Sequence, residues 1–267
     1  MVDMRKRFNN IKKMIQEALI DLDVFGLQEP QAPDFLFNEF VTNVLPAREA
    51  WRFNTNAEKI KLFQGWLQEQ IKGPNAPLSV NAVGDPWTAT YIDSAYRKGV
   101  VQAYNTTNRR TGAESLDFEE GRRAQFLESS FTQGERLDSV RFLYARSFAE
   151  LEGISAGMSQ QIGRILADGL ANGKGIRTIA REMSNAISGI TKQRALTLAR
   201  TEIVGAHAEG TLDAFEELGI EKVKVLAEWS TAGDDRVCPL CEPLEGSVMT
   251  IKQARGLIPR HPNCRLL

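Results

Sequence analysis

Apolar residues recur at steps of three and four along most of the chain, which is the spacing of amphipathic α-helices. The first such pattern runs from Arg5 to Leu22, and its opposite face is rich in lysine and arginine. Such a face can meet a phosphate backbone or an acidic partner, or it can simply lie in solvent. Further helical patterns are predicted at residues 34–72 (as two helices), 87–100, 126–131, 137–151, 158–170, 176–187 and 192–218.

The remaining patterns predict loops, a turn and one strand. Proline and glycine residues predict a loop at 73–86, and a polar composition predicts a long exposed loop at 105–120. Closely spaced glycines predict a turn at 153–157. Residues 222–229 alternate between polar and apolar side chains, as a half-buried strand does. Gly210 lies on the apolar stripe of the last helix, which predicts close packing there.

The composition is that of a globular protein. A length of 267 residues with 42% hydrophobic residues is enough for one large or two ordinary domains. The formal net charge is −1, so the chain as a whole gives no electrostatic case for binding nucleic acid or an anionic membrane. No stretch approaches the roughly twenty apolar residues of a transmembrane helix, and the start lacks the apolar segment of a secretory signal. We therefore expect a protein of the cytoplasm, where thiols stay reduced.

All three cysteines of the chain lie near its carboxyl end, as Cys238 and Cys241 in a C-x-x-C pattern and Cys264 in an H-x-x-C pattern with His261. Two ligands at this spacing can occupy one side of a tetrahedron, and a second such pair beyond a loop completes it. The spacing predicts a Zn²⁺ site with these four residues as ligands. Because four protein ligands leave no position for water, the ion would be structural and not catalytic.

Two other roles for these cysteines stay open. Cysteine is often a small buried apolar residue, and a C-x-x-C pattern can be a redox pair. Neither role explains why His261 and Cys264 repeat the spacing, and a disulfide would leave one cysteine over.

The predicted fold is mainly α with a small β element and a zinc loop. We place a domain boundary at the predicted turn, which gives a helical amino-terminal domain at 1–150. Residues 151–267 would then form a domain with the order helix, strand and zinc knuckle. The metal loop has too few apolar residues for a core of its own, so zinc would cross-link what packing cannot.

The usual catalytic signals are missing from the sequence. It contains no GxxxxGK[ST] loop, no HExxH and no GxSxG motif. The histidines are His207 and His261, and the second is assigned to the metal. His207 lies beside the apolar stripe of its predicted helix, where a packing or surface role is expected. We therefore expect that the protein is not an enzyme.

Several motifs follow one another in the carboxy-terminal part of the chain. They are Ala199-Arg-Thr-Glu202, Gly210, Gly233-Asp-Asp-Arg-Val-Cys-Pro-Leu-Cys241 and His261-Pro-Asn-Cys-Arg265. In this order they resemble the phage Mu F-like head morphogenesis family, over roughly residues 150–267. Residues 66–70 and 91–99 are similar, more loosely, to the amino-terminal half of many such proteins.

This resemblance implies a minor head (minor capsid) protein of a tailed phage or prophage. Such a protein acts in head morphogenesis near the portal and the packaged DNA. The implied partner is the phage portal protein, with the major capsid protein, the scaffold protein and packaged DNA as further candidates and no membrane. The implied location is the virion, in the head interior or close to the portal, and the host cytoplasm during assembly.

Two positions depart from the family pattern. The family usually has a further cysteine two residues after the one in HPNC, where this chain has Leu266. We therefore expect the four ligands named above to be the complete set. The position of His207 more often carries asparagine in the family, which weakens a functional role for that histidine.

Arg200 and Glu202 are part of the family's Ala-Arg-Thr-Glu motif. At two residues apart they point to different faces of a helix, so they cannot pair well with each other. We hypothesise that Arg200 reaches Asp234 or Asp235 in the metal loop. Glu202 would reach a backbone amide or Arg236. Such a network would tie the loop to the helix; the alternative is that these are unrelated solvated charges.

A zinc-stabilised nucleic-acid-binding module or nuclease is the alternative function. The Cys-Pro-Leu-Cys turn resembles the knuckle of zinc ribbons, and Arg255, Arg260 and Arg265 lie around the second ligand pair, where they could meet phosphates. Against it, the HNH type of nuclease needs histidines that this chain lacks. Relatives of the family can also carry toxin-like effector domains, but we expect none here because the sequence stops at the metal motif.

Overall fold

A computed structural model describes residues 1–25, 27, 56–111, 120–218, 226–231, 233 and 237–264. The helices are α1 (Val2–Gln16), α2 (Asn56–Lys72), α3 (Ala89–Thr111), α4 (Glu120–Thr132), α5 (Gly134–Ala171), α6 (Ile176–Ile190), α7 (Leu196–Glu217) and α8 (Ile251–Ala254). A π-helical turn follows α1 at Glu17–Asp21, a second joins α6 to α7 at Thr191–Ala195, and a 3₁₀ turn spans Glu242–Leu244. The strands β1 (Ala227–Glu228) and β2 (Val248–Met249) pair antiparallel.

These elements confirm the predicted mainly α fold with a small β element. The pattern at 5–22 forms α1 and its π-helical turn, and the loop predicted at 73–86 contains no helix. α5 ends just before Gly173, whose φ of 63° is a conformation that glycine adopts easily. Among the described residues, no helix combines the length and the apolarity needed to cross a membrane.

Two predicted interruptions are wrong, because polar or glycine residues do not by themselves end a helix. Residues 105–111 continue α3, where the Thr107 hydroxyl donates to the backbone oxygen of Ala103 at 2.9 Å and so satisfies itself within the helix. The turn predicted at 153–157 lies inside α5. The buried residues Leu151 and Met158 on either side of it are seven positions apart and share one helix face.

For other predicted elements the structure gives the limits, or the residues lie outside the part that it describes. The helices predicted at 176–187 and from residue 192 form one helical run through the second π-helical turn. The predicted strand is present as β1, while its first residues, 222–225, lie outside the described chain. The same holds for residues 34–55 of the predicted helical pair and for 112–119 of the predicted loop.

Contacts group the chain into two units. Unit 1 combines Met1–Val80 with Leu151–Leu196, and unit 2 combines Asn81–Glu150 with Thr197–Leu267. One limit between the units coincides with the predicted boundary at residue 150, although the helix α5 runs through it. The division into a domain at 1–150 and a domain at 151–267 stays a prediction.

Unit 1 is packed around α1, which lies against α6. Gln16 donates to the Ser184 hydroxyl and Lys12 to the Ser188 hydroxyl, both at 3.2 Å, so the two helices run antiparallel. Between these polar flanks the interface is apolar. The largest buried apolar residues of the unit are Met4, Phe8, Ile11, Ile15, Leu19, Phe25, Phe63, Trp66, Leu67, Ile71, Leu151, Met158, Ile162, Leu166, Ile179, Met183, Ile187 and Ile190.

In unit 2, α3 and α7 meet backbone to backbone at two glycines. A Cβ atom at Gly99 would collide with the backbone oxygen of His207, and one at Gly210 would collide with that of Tyr96. The Thr211 hydroxyl lies in the same crossing, 3.3 Å from the Gly99 oxygen. The close packing predicted at Gly210 is therefore confirmed, and α3 is the partner.

α7 carries five carboxylates, and each has a cationic or hydroxyl partner from elsewhere in unit 2. Asp213 accepts from the Tyr96 hydroxyl at 2.6 Å, and burial raises the pKa of that phenol, so it stays a donor. The remaining pairs are Glu202 with Arg146, Glu217 with Arg136 and Ser130, and Arg255 with Glu209, Asp213 and Glu216.

Candidate metal centre

The two predicted ligand pairs lie on two backbone turns of the same kind. The Cys241 amide donates to the Cys238 oxygen at 2.9 Å, and the Cys264 amide donates to the His261 oxygen at 3.1 Å. A hydrogen bond from the fourth to the first residue folds the chain so that the two end side chains can face one way. Each ligand pair therefore lies at the two ends of a turn, with both donor atoms on the same side.

The two turns face each other. The His261 Nε2 atom lies 2.8 Å from the Cys238 sulfur and 3.2 Å from the Cys241 sulfur, and the Cys241 sulfur lies 3.7 Å from that of Cys264. The donor atoms of Cys238, Cys241 and His261 all lie within 4.8 Å of one another, a group that can hold a metal ion. Cys264 adjoins this group through Cys241 but is not a member of it.

The donor chemistry fits a borderline-soft ion. Thiolate sulfur and imidazole nitrogen are the ligands of structural zinc sites, and a tetrahedron with metal–sulfur bonds of about 2.3 Å has sulfur–sulfur edges of about 3.8 Å. The separation of 3.7 Å between Cys241 and Cys264 agrees with that edge. The two sulfur–nitrogen distances are shorter than the edge of about 3.5 Å expected for such a pair.

A neighbouring carbonyl orients the His261 ring. Its Nδ1 atom lies 2.9 Å from the backbone oxygen of Pro262. Only a protonated Nδ1 can donate to that oxygen, and the neutral ring then keeps its lone pair on Nε2, which faces the cysteines. Holding the ring in one tautomer through its second nitrogen is the usual arrangement of metal-binding histidines.

The Trp229 side chain covers one side of the site. Trp229 packs in one buried cluster with Cys241 and Cys264, and its amide donates to the Ser247 oxygen at 2.8 Å beside the β1–β2 pair. The Gly246 amide returns a bond of 2.9 Å to the Trp229 oxygen. The short sheet therefore carries the indole ring to the two buried cysteines.

Burial and crowding separate the pKa values of the thiols. Burial, together with hydrogen bonds with the Cys238 and Cys264 thiols, raises the pKa of Cys241 to about 12. Burial also acts on Cys238, but hydrogen bonds from Cys241, from the backbone and from His261 outweigh it and lower the pKa. The Cys238 thiolate is therefore favoured even without a cation. Ionising the crowded neighbours as well requires a positive charge between them.

The metal segment, residues 226–264, packs on α7 through an apolar cluster of Ile251 and Ala254 with Leu212. It also contacts α7 at three further places, of which two involve Pro259 and Arg255. Pro259 packs against Gly205, where an added Cβ would lie 3.0 Å from the proline ring. The Arg255 guanidinium contacts the carboxylates of Glu209 and Asp213 at 2.8 Å and that of Glu216 at 2.9 Å. The nucleic-acid-binding alternative assigns Arg255 to phosphate contacts, but its charge is already matched by these carboxylates.

The third place is Asn263, between the second pair of ligands. Its amide nitrogen donates to the Thr201 hydroxyl at 3.1 Å, and its side-chain nitrogen donates to the Thr197 hydroxyl at 3.1 Å. Its side-chain oxygen accepts from Arg200 at 2.7 Å. The Ala-Arg-Thr-Glu motif and the His-Pro-Asn-Cys motif are thus in direct contact, which explains physically why they occur together in this chain.

These contacts test one part of the hypothesised charge network, namely the partners of Arg200 and Glu202 among the described residues. Arg200 does reach the metal segment, through Asn263, and the Glu202 carboxylate accepts from Arg146 of α5 at 2.9 Å. The proposed partners Asp234, Asp235 and Arg236 lie outside the described residues, so their roles stay predictions.

Sequence reasoning missed Asn263 and Arg146 as partners of this motif. Thr197 and Thr201 are one helical turn apart, and asparagine tolerates left-handed backbone, so residue types gave a weak signal for the Asn263 contact. Nothing local in the sequence marks Arg146, which lies 56 residues before Glu202. Burial and the Lys98 charge lower the pKa of His207, in keeping with its expected packing role.

The comparison with protein families agrees with this geometry. The model described as "Phage Mu protein F like protein" matches residues 160–266, which include α7, the β1–β2 pair and both ligand turns. This part of the chain is similar to the phage Mu F-like family, as the motifs predicted. No curated protein and no solved structure matches the chain. The family points to phage head morphogenesis, and thus to the virion and to other head components as its setting.

Proposed function

We propose that the chain is a minor head protein of a tailed phage or prophage, acting during head morphogenesis near the portal and the packaged DNA. The observation that carries this proposal is the family match over residues 160–266. The portal protein is the proposed direct partner. The protein acts by binding and not as an enzyme, in keeping with a site whose donor atoms face one another.

The metal is Zn²⁺ in a structural role, held by Cys238, Cys241, His261 and Cys264. Two turns with matching hydrogen bonds, three thiols and an imidazole with its Nε2 turned toward them support this set. When bound, the ion cross-links the two turns and supplies the positive charge that the crowded thiols need. The protein's part is to orient His261, exclude water with Trp229 and anchor the segment on α7.

Co-purification tests the partner. Tagged protein is expressed together with the neighbouring phage head genes, and the lysate is divided into nuclease-treated and untreated halves before capture. We expect portal protein, identified by mass, in both halves at equal yield. Recovery of head proteins only from the untreated half would contradict a direct portal contact and favour the nucleic-acid-binding alternative.

Elemental analysis and cobalt substitution test the metal. We expect about one zinc per purified chain, and a Co²⁺ derivative whose sulfur-to-metal absorption corresponds to three thiolates. Cys264→Ser should retain metal with absorption reduced to that of two thiolates, because Cys238 and Cys241 remain. Absorption unchanged in Cys264→Ser would remove Cys264 from the ligand set, and metal-free protein would end the zinc proposal.

A further inference from the structure

We propose that Asn263 is a positioning residue through which helix α7 sets the metal affinity of the site, although Asn263 does not itself offer a ligand to the ion. This inference rests on the proposed metal site and adds to it the residues that control it. The affected ligands are His261 and Cys264, which lie two residues before and one residue after Asn263.

The backbone at Asn263 has a conformation that most residues avoid. Its φ is 62°, in the left-handed region, and it is the third residue of the turn closed by the bond from the Cys264 amide to the His261 oxygen. Asparagine and glycine adopt this region far more readily than other residues. The direction in which the chain leaves toward Cys264 therefore depends on keeping residue 263 in this conformation.

Three hydrogen bonds from one face of α7 hold that conformation. Thr197, Arg200 and Thr201 are spaced by three and four residues, so they present their side chains on the same side of the helix. Together they engage the amide, the side-chain oxygen and the side-chain nitrogen of Asn263, at 3.1, 2.7 and 3.1 Å.

The consequence is a preformed half-site. The contacts to α7 do not involve the ligand atoms, and they restrict the turn to the form in which His261 and Cys264 face the first pair. A metal that binds to a restricted turn loses less chain entropy than one that must order it, so affinity increases. Residues in the outer layer of metal sites typically change affinity by about 10–100-fold when they are replaced.

The experiment measures Zn²⁺ affinity of the full chain by competition with a chromophoric chelator, beside the melting temperature of the metal-free protein. Asn263→Ala, which loses the side-chain contacts and the preference for positive φ, should bind Zn²⁺ about 10–100-fold more weakly. Asn263→Gly keeps the conformational freedom and should fall between this variant and the wild type. The difference between the two variants separates the contribution of the positive φ from that of the side-chain hydrogen bonds.

Thr201 provides a second test that leaves the loop sequence intact. Thr201→Val removes the hydroxyl that accepts from the Asn263 amide and should weaken Zn²⁺ binding, whereas Thr201→Ser should restore it. Thr211→Val is the matched control, because the hydroxyls of Thr201 and Thr211 each donate to the backbone oxygen four residues earlier, and Thr211 makes its other contact with Gly99. This control should leave the Zn²⁺ affinity unchanged.

The possible outcomes are distinct. Weaker Zn²⁺ binding in Asn263→Ala and Thr201→Val, with wild-type binding in Thr201→Ser and Thr211→Val, supports the inference. Wild-type affinity in Asn263→Ala and Thr201→Val, whatever happens to their melting temperatures, overturns it and leaves the metal site standing. If the wild type itself takes up no Zn²⁺, the proposed site and this inference fail together.

Discussion

The α1–α6 pair of unit 1 and the metal segment at 226–264 of unit 2 reach a fixed structure in different ways. In α1, four apolar residues spaced three or four apart are almost inaccessible to solvent, and they fill the interface with α6 and its neighbours. In the metal segment, two strands of two residues and a helix of four residues are joined by turns. Few of the described side chains in this segment are buried, and Cys241 and Cys264 are two of them.

The difference shows what each region needs from its surroundings. Helix packing spreads the stabilisation over many weak contacts, so no single group decides whether the helices form. The metal segment relies on a small number of specific contacts, namely the Cys/His cluster, the Arg255 ion pairs, Pro259, Asn263 and one small apolar cluster on Leu212. Loss of one of these should be local, and it should leave the α1–α6 pair unchanged.

Metal removal should produce the largest effect. Apparent binding energies of structural zinc sites are on the order of 10 kcal/mol near neutral pH. We expect that a chelator abolishes amide hydrogen-exchange protection at 226–264 while protection in α1 and α6 remains. Equal loss of protection in both regions, or no loss in either, would contradict the comparison.

Gly210→Ala should have the next largest effect on stability, because it changes α7, the helix that supports the metal segment. The added Cβ would collide with the Tyr96 backbone, which cannot move without separating α3 from α7. We expect a loss of about 4 kcal/mol or more in urea unfolding followed by circular dichroism. Gly189→Ala in α6 is the control, since its Cβ meets nothing within 4 Å and alanine favours the helix by up to about 1 kcal/mol.

Ile11→Ala tests the α1–α6 side of the comparison. Ile11 has no exposed surface, so truncation leaves a cavity and should cost about 3 kcal/mol. The cost should be the same with and without a chelator, because the metal segment is not involved. Asn9→Ala, on the exposed face of the same helix, should change stability by less than about 0.5 kcal/mol. A chelator-dependent cost at Ile11 would show that the two regions are coupled.

Glu209→Gln should give the smallest effect, and one that depends on pH. Burial raises the pKa of Glu209 above its ordinary value of 4.5, although the Arg255 charge opposes the shift. The folded state therefore binds the proton more tightly, so the stability from this group is present below pH 4.5 and is lost as pH rises through the folded pKa. Relative to wild type, the glutamine variant should gain stability from pH 4 to pH 7. A pH-independent difference would argue against the raised pKa.

The parts of the fold that could be predicted are those encoded by neighbours in sequence. Periodicity predicted α1 and most helices, and proline and glycine predicted the loop at 73–86, since each of these depends on residues close together in sequence. It failed at 153–157 and 105–111, because glycine and short polar residues lower helix propensity without preventing a helix that tertiary packing favours. The partner of β1 was not predicted, since β2 is too short to show an alternating pattern.

In the candidate site too, local features could be predicted and long-range contacts could not. The x-x spacing predicted that each ligand pair presents its two donor atoms together, because the geometry within a pair is local. The anchoring contacts join residues 39 to 66 positions apart, as with Arg255 and Glu216 or Asn263 and Thr197, and no local pattern marks such pairs. The order of the family motifs indicated that they act together, but only the structure shows that they touch.

The crowding of carboxylates on α7 has a consequence for the order of events in folding. Glu209, Asp213 and Glu217 follow one another at steps of four residues, and such like-charged neighbours each oppose an isolated helix by about 0.2–0.5 kcal/mol. Their counter-charges, Arg136 and Arg255, come from parts of the chain far from α7 in sequence. The segment is thus a poor helix alone, and α7 gains its full helicity only as unit 2 assembles around it.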